Sequence, residues 1–225
     1  MKIVLLPGLD GTGILFKPFI DALPTAFDVL VISYPPDIKL PYEELIELVI
    51  NQLPEEKFIL LAESFSGHIA YQVALRKPTN LKSVIFVATF LEPPRPFLLG
   101  LSSCFPRNLL LSAPIPNYVV KTFLLGGAEN KKLIDLLKQS IKQVSSDVIS
   151  YRLQEIAKLR NDQKLCDTKV AYIQATNDKL VPARCLETFK KVFTNLSIFQ
   201  IEGSHFILQT DPLACVEVVV KENAL

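Results

Sequence analysis

The sequence is poor in residues that mark several classes of protein. It holds no tryptophan, one methionine and two histidines, and its formal net charge is only +1 over 225 residues. So small a charge gives no global reason to expect a nucleic-acid partner. With two histidines and no His-Glu-x-x-His motif, a metallohydrolase is also disfavoured, and no metal ligands are predicted.

Cysteine is scarce and is not arranged for a structural role. The four cysteines are Cys104, Cys166, Cys185 and Cys215, and none forms a Cys-x-x-Cys pair. Their spacing predicts neither a zinc site nor a disulfide framework. We therefore expect reduced thiols and a cytoplasmic protein.

Long uninterrupted apolar runs are also lacking. The apolar run at the N-terminus ends at Pro7 and Gly8, too early for a signal-peptide core or a membrane span. The richest apolar stretch, residues 96–125, is broken by several prolines and by Arg107 and Asn108. No targeting or membrane-spanning segment is predicted.

The sequence is rich in short apolar runs that alternate with amphipathic segments. Hydrophobic residues make up 49% of the chain and the mean hydropathy is +0.31, enough for a large core. This alternation is typical of βα units and predicts an α/β fold with a mainly parallel, doubly wound sheet of about six strands. The predicted strands are 2–6, 27–33, 58–62, 81–88, 169–175 and 196–201.

The pattern changes after the fourth predicted strand. Residues 90–167 show no clear strand but contain many prolines and two clear helical stretches, Asn130–Val144 and Ser146–Leu159. We interpret this segment as a helical cap inserted into a core made of residues 1–89 and 168–225.

Ser64 is the candidate nucleophile because it lies where a predicted strand meets a predicted helix. A nucleophile elbow needs small residues two positions before and after the serine, since the turn is tight. Here these positions hold Ala62 and Ser66, where glycines are usual. The elbow directs helix-N-terminal amides at the reaction centre. The alternative role for Ser64 is an ordinary helix N-cap.

The candidate base is His205. It follows the last predicted strand, in a loop at the carboxyl edge of the sheet, where α/β active sites lie. The second histidine, His68, is one helical turn after Ser64, so we interpret it as structural or adjacent to substrate. His205 could alternatively be a surface histidine.

The candidate acid is Asp178, in the loop after the fifth predicted strand. Its carboxylate would orient the imidazole and stabilise the imidazolium. Asp178 could instead cap a helix or a turn. Glu92, after the fourth strand, is a rival acid. Along the chain, Ser64 comes first, Asp178 second and His205 third. This is the order of nucleophile, acid and base in folds that carry a nucleophile elbow.

The oxyanion donors are predicted to be the backbone N–H groups of Phe65 and Leu9. Phe65 directly follows Ser64, and Leu9 lies in the Gly-rich loop Pro7–Gly13 after the first strand. A phosphate loop is excluded because Ile14 and Leu15 stand where Lys and Ser or Thr are required. A dinucleotide Gly-x-Gly-x-x-Gly motif is also incomplete.

Four motifs in this order resemble the α/β-hydrolase superfamily, and specifically its compact esterase-like and thioesterase-like members. They are the Leu-Pro-Gly-Leu-Asp-Gly-Thr-Gly opening, the turn at Ser64, the Asn-Asp-x-Leu-Val-Pro loop at Asp178 and the Gly-Ser-His loop at His205. A similar opening is found in type II thioesterases and in plastid acyltransferases related to phytyl ester synthesis.

The resemblance implies a serine hydrolase that cleaves a carboxylic ester or acyl thioester through an acyl-enzyme, with no cofactor and no metal. Two other functions stay open: acyl transfer to an alcohol by the same three residues, and a catalytically silent hydrolase fold used for binding. The expected partner is a small acyl ester or thioester, with an acyl-carrier protein or membrane lipid as a further possibility.

The apolar residues of the predicted cap are relevant to which substrate the protein could bind. They either close the cap's own core or line an acyl-chain channel. They are Phe97, Leu98, Leu99, Leu101, Phe105, Leu109–Leu111, Val119, Val120, Phe123 and Leu124.

Overall fold

A computed structural model of the chain describes residues 1–95, 125, 130–160 and 162–224. Its strands are β1 (Lys2–Leu6), β2 (Asp28–Val31), β3 (Phe58–Glu63), β4 (Leu81–Val87), β5 (Val170–Ala175) and β6 (Leu196–Ile201). They form one six-stranded sheet in the order β2-β1-β3-β4-β5-β6, and every neighbouring pair is parallel. The predicted α/β class with a parallel sheet of about six strands is confirmed.

Helices follow most of the strands, as expected for βα units. They are α1 (Lys17–Ala22), α2 (Tyr42–Ile50), α3 (Gly67–Arg76), α4 (Lys131–Lys142), α5 (Ser146–Lys158), α6 (Leu186–Val192), α7 (Ile207–Thr210) and α8 (Pro212–Ala224). Single 3₁₀ turns span Ile14–Phe16, Ser64–Ser66 and Ala183–Cys185. Within the described ranges, each helix is too short or too polar to cross a membrane.

The sheet is covered on both faces, and the side chains of its strands alternate between two apolar clusters. Val4 and Leu6 of β1 join the cluster that contains residues of α2, α3 and α6. Ile3 and Leu5 join the opposite cluster, which contains residues of α1, α7 and α8. Because successive side chains of a strand point to opposite faces, every apolar residue of β1 is buried. The result is the doubly wound, three-layer architecture.

The edge strand β2 is shorter than its apolar run predicts. The sequence indicates a strand over residues 27–33, whereas β2 covers Asp28–Val31 and pairs only with β1. Ile32, directly after β2, still donates from its N–H to Leu5 O of β1 at 3.1 Å, and the Tyr34 N–H then donates to Gly11 O at 2.7 Å. This bond ties the end of β2 to the loop after β1.

The helices α4 and α5 lie between β4 and β5 in the chain and pack on the core beside the loops at the carboxyl ends of the strands. α4 contacts the core in an apolar cluster formed by Leu15, Leu125, Leu133, Ile134, Leu137 and Phe206. The start of α5 forms a second cluster in which Val144, Val148 and Ile149 pack with Leu9 and Leu153. The division of the chain at residues 90 and 167 stays a prediction.

Several sequence-based expectations fall outside the described residues. Cys104 lies there, and so do the candidate channel residues between Phe97 and Leu124. The other three cysteines, Cys166, Cys185 and Cys215, are free thiols.

Candidate active site

Ser64 occupies a sharp turn between β3 and α3. Its φ of 50° lies in the left-handed region, which costs a non-glycine residue about 1 kcal/mol. The turn is held by Thr89, whose Oγ1 donates to Ser64 O, and by the Gly67 N–H, which bonds the same oxygen. Only glycine fits at residue 67, because a Cβ there would lie 1.9 Å from Thr89 Oγ1. The turn therefore depends on a side chain contributed by the loop after β4.

Ser66, which stands where a glycine is usual, makes hydrogen bonds of its own. Its hydroxyl donates to Pro7 O, and the Tyr34 hydroxyl lies 2.5 Å from Ser66 Oγ. Since the single proton of Ser66 is used toward Pro7, the Tyr34 hydroxyl is the donor to Ser66. Ser66 thus joins the turn at Ser64 to the loop after β1.

His205 lies in the loop between β6 and α7 and faces Ser64. Its Nε2 is 3.0 Å from Ser64 Oγ, and its Nδ1 is 2.8 Å from Asp178 Oδ2. The His205 side chain is only 6% exposed and that of Asp178 only 3%. The structure therefore brings the three predicted side chains into one continuous chain of hydrogen bonds.

The Asp178 loop is built to hold its carboxylate in place. Asp178 Oδ1 accepts from the N–H groups of Leu180 and Val181, each at 2.8 Å, which leaves Oδ2 for His205. The Asn177 N–H donates to Gly203 O at 2.8 Å and ties the two loops together. Glu92, the rival acid, is exposed, and the acid bonded to His205 Nδ1 is Asp178.

Two opposing effects set the proton affinity of His205. Burial lowers the pKa of the imidazole because it penalises the charged form. The negative charge of Asp178, its hydrogen bond and the charge of Glu63 outweigh burial, so the net pKa of His205 is raised. A carboxylate can only accept, so the Nδ1–H donates to Asp178 and Nε2 is free to accept the Ser64 proton.

The other histidine lies apart from this chain of hydrogen bonds. His68 is part of α3, and its ring meets the Tyr42 ring edge-on with centroids 5.1 Å apart. Its buried Nδ1 has no hydrogen-bond partner among the described residues. Burial lowers the pKa of His68, which favours the neutral imidazole.

The two predicted oxyanion donors belong to segments that adjoin Ser64. Phe65 is fully buried, its ring stacks on Tyr42 at 4.8 Å, and its carbonyl accepts from the Tyr42 hydroxyl at 3.1 Å. A Cβ on Gly8 would lie 3.8 Å from Ser64 Cβ, so the loop that carries Leu9 passes directly beside the serine. The donor roles of Leu9 and Phe65 are taken up below as a proposal.

Sequence reasoning missed a buried carboxyl group next to Ser64. Glu63 is only 4% exposed, and its Oε1 accepts from Gln209 Nε2 at 2.9 Å. Burial raises the pKa of Glu63 to about 7, although the Gln209 bond and the charge of His205 act in the opposite direction. The only signal in the sequence was the position of Glu63 directly before Ser64. That position does not predict whether the side chain is buried.

Two further polar residues near the site were also missed. Arg152 of α5 reaches the loop after β1, where its guanidinium donates to backbone carbonyls. In the same loop, Asp10 Oδ2 accepts from Ser140 Oγ of α4 at 2.7 Å. Both bonds join residues more than 125 positions apart. In the described parts of the chain, no group of three or more His, Cys, Asp or Glu side chains is placed to hold a metal ion.

Comparison with known proteins gives one curated relative that shares part of the chain. The phytyl ester synthase 1, chloroplastic, of Arabidopsis thaliana is 30% identical over 122 residues. The match covers 50% of this chain and 17% of that protein. The chain therefore spans about a sixth of the relative's length.

Solved structures share the fold over nearly the whole chain. An esterase from Exiguobacterium antarcticum superposes with a TM-score of 0.81 at 14% identity, covering 100% of this chain and 92% of that one. The type II thioesterase from the borrelidin biosynthetic cluster gives a TM-score of 0.73 at 18% identity, covering 98% and 91%. At these identities the likeness concerns the fold.

A match to a family model shows to which protein family the chain belongs. The model described as serine aminopeptidase, S33, matches residues 41–198, which is more than half of the chain and includes Ser64 and Asp178. Together with the parallel sheet and the turn at Ser64, this match shows that the chain belongs to the S33 family of α/β-hydrolases.

Proposed function

We propose that the protein is a serine hydrolase that cleaves a carboxylic ester or an acyl thioester through an acyl-enzyme intermediate. In this proposal Ser64 is the nucleophile, His205 the base and Asp178 the acid that orients it. The observation that carries it is the continuous series of hydrogen bonds from Ser64 Oγ through His205 to Asp178, at 3.0 and 2.8 Å. Such an arrangement activates a hydroxyl that is otherwise a weak nucleophile.

The first half of the reaction forms the acyl-enzyme. Ser64 Oγ attacks the carbonyl carbon while His205 Nε2 takes the hydroxyl proton, and the carbonyl oxygen becomes an oxyanion. The Leu9 and Phe65 amides bind this oxyanion, and a donor of this kind contributes roughly 3 kcal/mol to the transition state. His205 then gives its proton to the leaving alcohol or thiol as the C–O or C–S bond breaks.

The second half releases the acid. Water attacks the acyl carbon, His205 takes a proton from it, and the same two amides bind the second oxyanion. The bond to Ser64 Oγ breaks, and His205 returns the proton to that oxygen. All proton transfers pass through His205, so the scheme needs no cofactor. The raised pKa of His205 favours the imidazolium that both steps require.

Acyl transfer to an alcohol is the second candidate. It is favoured by the 30% identity with a protein whose name describes an ester synthase. The same residues would serve, with an alcohol in place of water in the second half.

The test is turnover of a substrate panel by wild type and Ser64→Ala. The panel holds p-nitrophenyl esters and acyl-CoA thioesters of increasing chain length and an aminoacyl p-nitroanilide, each with and without a long-chain alcohol. Ester or thioester cleavage that disappears in Ser64→Ala supports the hydrolase. A new ester formed faster than free acid supports the transferase.

Other results would redirect the proposal. Cleavage of the p-nitroanilide alone would assign an aminopeptidase. No turnover of any member, in a folded protein that also resists a fluorophosphonate, would contradict both enzyme proposals and leave the silent binding fold. The cytoplasmic location and the acyl-carrier or membrane-lipid partner stay predictions.

A further inference from the structure

The helix α5 sends one buried arginine into the loop that carries Leu9. Arg152 is 2% exposed. Its Nη1 donates to Leu9 O at 2.9 Å and to Asp10 O at 2.7 Å, and its Nη2 donates to Pro35 O at 2.9 Å. All three acceptors are backbone oxygens of the core. A buried charge of this kind is costly unless its donors are satisfied, so the site is built around the guanidinium.

The surroundings of Arg152 are shaped to fit it. Gly11 has a φ of +72°, and a Cβ there would lie 2.5 Å from Arg152 Nη1. The guanidinium carbon stands 5.6 Å from the centre of the Tyr34 ring, within the range of a cation–π contact. Tyr34 in turn donates to Ser66, two residues after Ser64. Arg152 is therefore linked to the loop that passes beside Ser64 and, through Tyr34, to the turn that carries Ser64.

Four successive carbonyls of the loop are engaged, and the Leu9 amide lies among them. Pro7 O accepts from Ser66 Oγ, and Gly8 O accepts from the Gly11 N–H at 3.0 Å. Leu9 O and Asp10 O accept from Arg152. Because each peptide unit is planar, the bond from the Gly11 N–H to Gly8 O sets the direction of the Leu9 N–H, which lies in the same peptide unit as Gly8 O. The Gly11 N–H in turn shares its peptide unit with Asp10 O, which Arg152 holds. Two of the four bonds come from one side chain of α5.

We propose that Arg152 is a positioning residue that holds the Leu9 amide in the oxyanion hole and so makes the hole depend on the placement of the cap helix α5. This inference rests on the proposed function. Displacement of α5 would release the Leu9 and Asp10 carbonyls together. Lysine cannot replace Arg152 fully, because an ammonium lacks the planar fork that reaches three carbonyls at once.

The experiment compares Arg152→Met and Arg152→Lys with wild type and with Ile156→Ala. Ile156 lies one turn further along α5 and is buried, so its truncation destabilises the same helix but leaves the guanidinium in place. Each rate is divided by the fraction of protein molecules whose Ser64 reacts with a fluorophosphonate. Affinity is measured for a trifluoromethyl ketone, whose adduct with Ser64 carries an oxyanion.

We expect Arg152→Met to lower kcat roughly 10- to 100-fold with little change in KM, because a misdirected donor acts on the transition state. The inhibition constant for the trifluoromethyl ketone should rise by a similar factor. Arg152→Lys should recover part of kcat. Ile156→Ala should lower the melting temperature and leave kcat per titrated site near wild type.

Unchanged kcat per titrated site in folded Arg152→Met would overturn the inference. So would equal losses in Arg152→Met and Ile156→Ala, since that result assigns Arg152 a purely structural role. In both cases Ser64-dependent turnover by wild type would leave the proposed function standing. If wild type itself shows no such turnover, the proposed function fails, and the positioning role fails with it.

Discussion

The two histidines of the chain show how different surroundings give one side chain opposite properties. His205 has a partner on each ring nitrogen, Ser64 on one side and Asp178 on the other, and its pKa is raised. His68 packs against the Tyr42 ring, has a buried Nδ1 without a partner among the described residues, and its pKa is lowered. Burial lowers the pKa of both, so the carboxylates beside His205 make the difference.

Under the proposed function, the comparison separates a histidine that transfers protons from one that packs against an aromatic ring. An imidazole that is to accept and return a proton near neutral pH needs a charge partner that stabilises its protonated form. His205 has such partners in Asp178 and Glu63. The carboxylates of Glu43 and Asp162 also raise the pKa of His68, but burial prevails there. The following changes test this contrast, from the largest expected effect to the smallest.

Replacing each histidine in turn should give the largest difference in activity between two variants. His205→Gln should lower kcat by roughly 10⁶-fold, the size of the loss when the base of a serine protease is removed. His68→Gln should stay within about threefold of wild type, because nothing reactive bonds His68. The measurement is ester hydrolysis per mole of folded protein. Comparable losses in the two variants would contradict the contrast.

Changing the acid tests whether the charge partner matters as much as the base. Asp178→Asn should lower kcat by roughly 10⁴-fold, because an amide can hold the wrong tautomer of His205. Glu92→Gln, at the exposed rival acid, is the matched control and should lie within about twofold of wild type. A greater loss in Glu92→Gln than in Asp178→Asn would make Glu92 the working acid.

Glu63 supplies a test through stability. Its folded pKa is about 7 against an ordinary value of 4.5, so the folded state holds the proton more tightly than the unfolded state. The stabilisation by this proton is complete below about pH 4.5 and is lost as pH rises to about 7. Glu63→Gln should therefore gain, relative to wild type, roughly 3 kcal/mol in the free energy of unfolding between pH 4.5 and pH 8.

Urea unfolding of both proteins at the two pH values measures this gain. Gln209 Oε1 is buried and has no partner among the described residues, so its amide can rotate to suit the new side chain. Glu92→Gln, at an exposed carboxyl, is the control. A difference between Glu63→Gln and wild type that does not change with pH would show that Glu63 is not a buried acid of raised pKa.

The smallest effect concerns the pH profile. In the proposed mechanism, the acid limb of the kcat/KM profile reports protonation of His205 in the free enzyme. The raised pKa of His205 then places this limb above the ordinary histidine value of 6.5. Glu63→Gln removes a negative charge that favours the imidazolium, so the limb should move to lower pH. A limb that moves to higher pH would contradict the assigned influence of Glu63 on His205.

Local sequence signals were sufficient to place Ser64, Asp178 and His205 together. Each follows a predicted strand, and parallel strands bring their carboxyl ends to one edge of the sheet. β1 and β6 have the predicted bounds, because each is a short apolar run closed by a turn. β2 is shorter than predicted because the chain leaves β1 after Ile32, and Tyr34 bonds the loop at Gly11 instead of continuing the sheet.

Arg152 and Glu63 could not be found in this way. Nothing local distinguishes Arg152, which is buried, from Arg160, which is exposed just after the end of α5. The burial of Arg152 depends on carbonyls up to 143 positions away, and that of Glu63 on Gln209, 146 positions away. Such contacts arise when distant segments of the chain pack together. The hydrophobic periodicity of the sequence does not predict them.

The most direct test of the central claim is to map the site of covalent labelling. Wild type, Ser64→Ala and His205→Gln are incubated with a fluorophosphonate, and the peptides are analysed by mass spectrometry with time. The account predicts one phosphonylated residue, Ser64, with fast labelling in wild type, slow labelling in His205→Gln and none in Ser64→Ala. Labelling at another residue, or equal rates with and without His205, would contradict it.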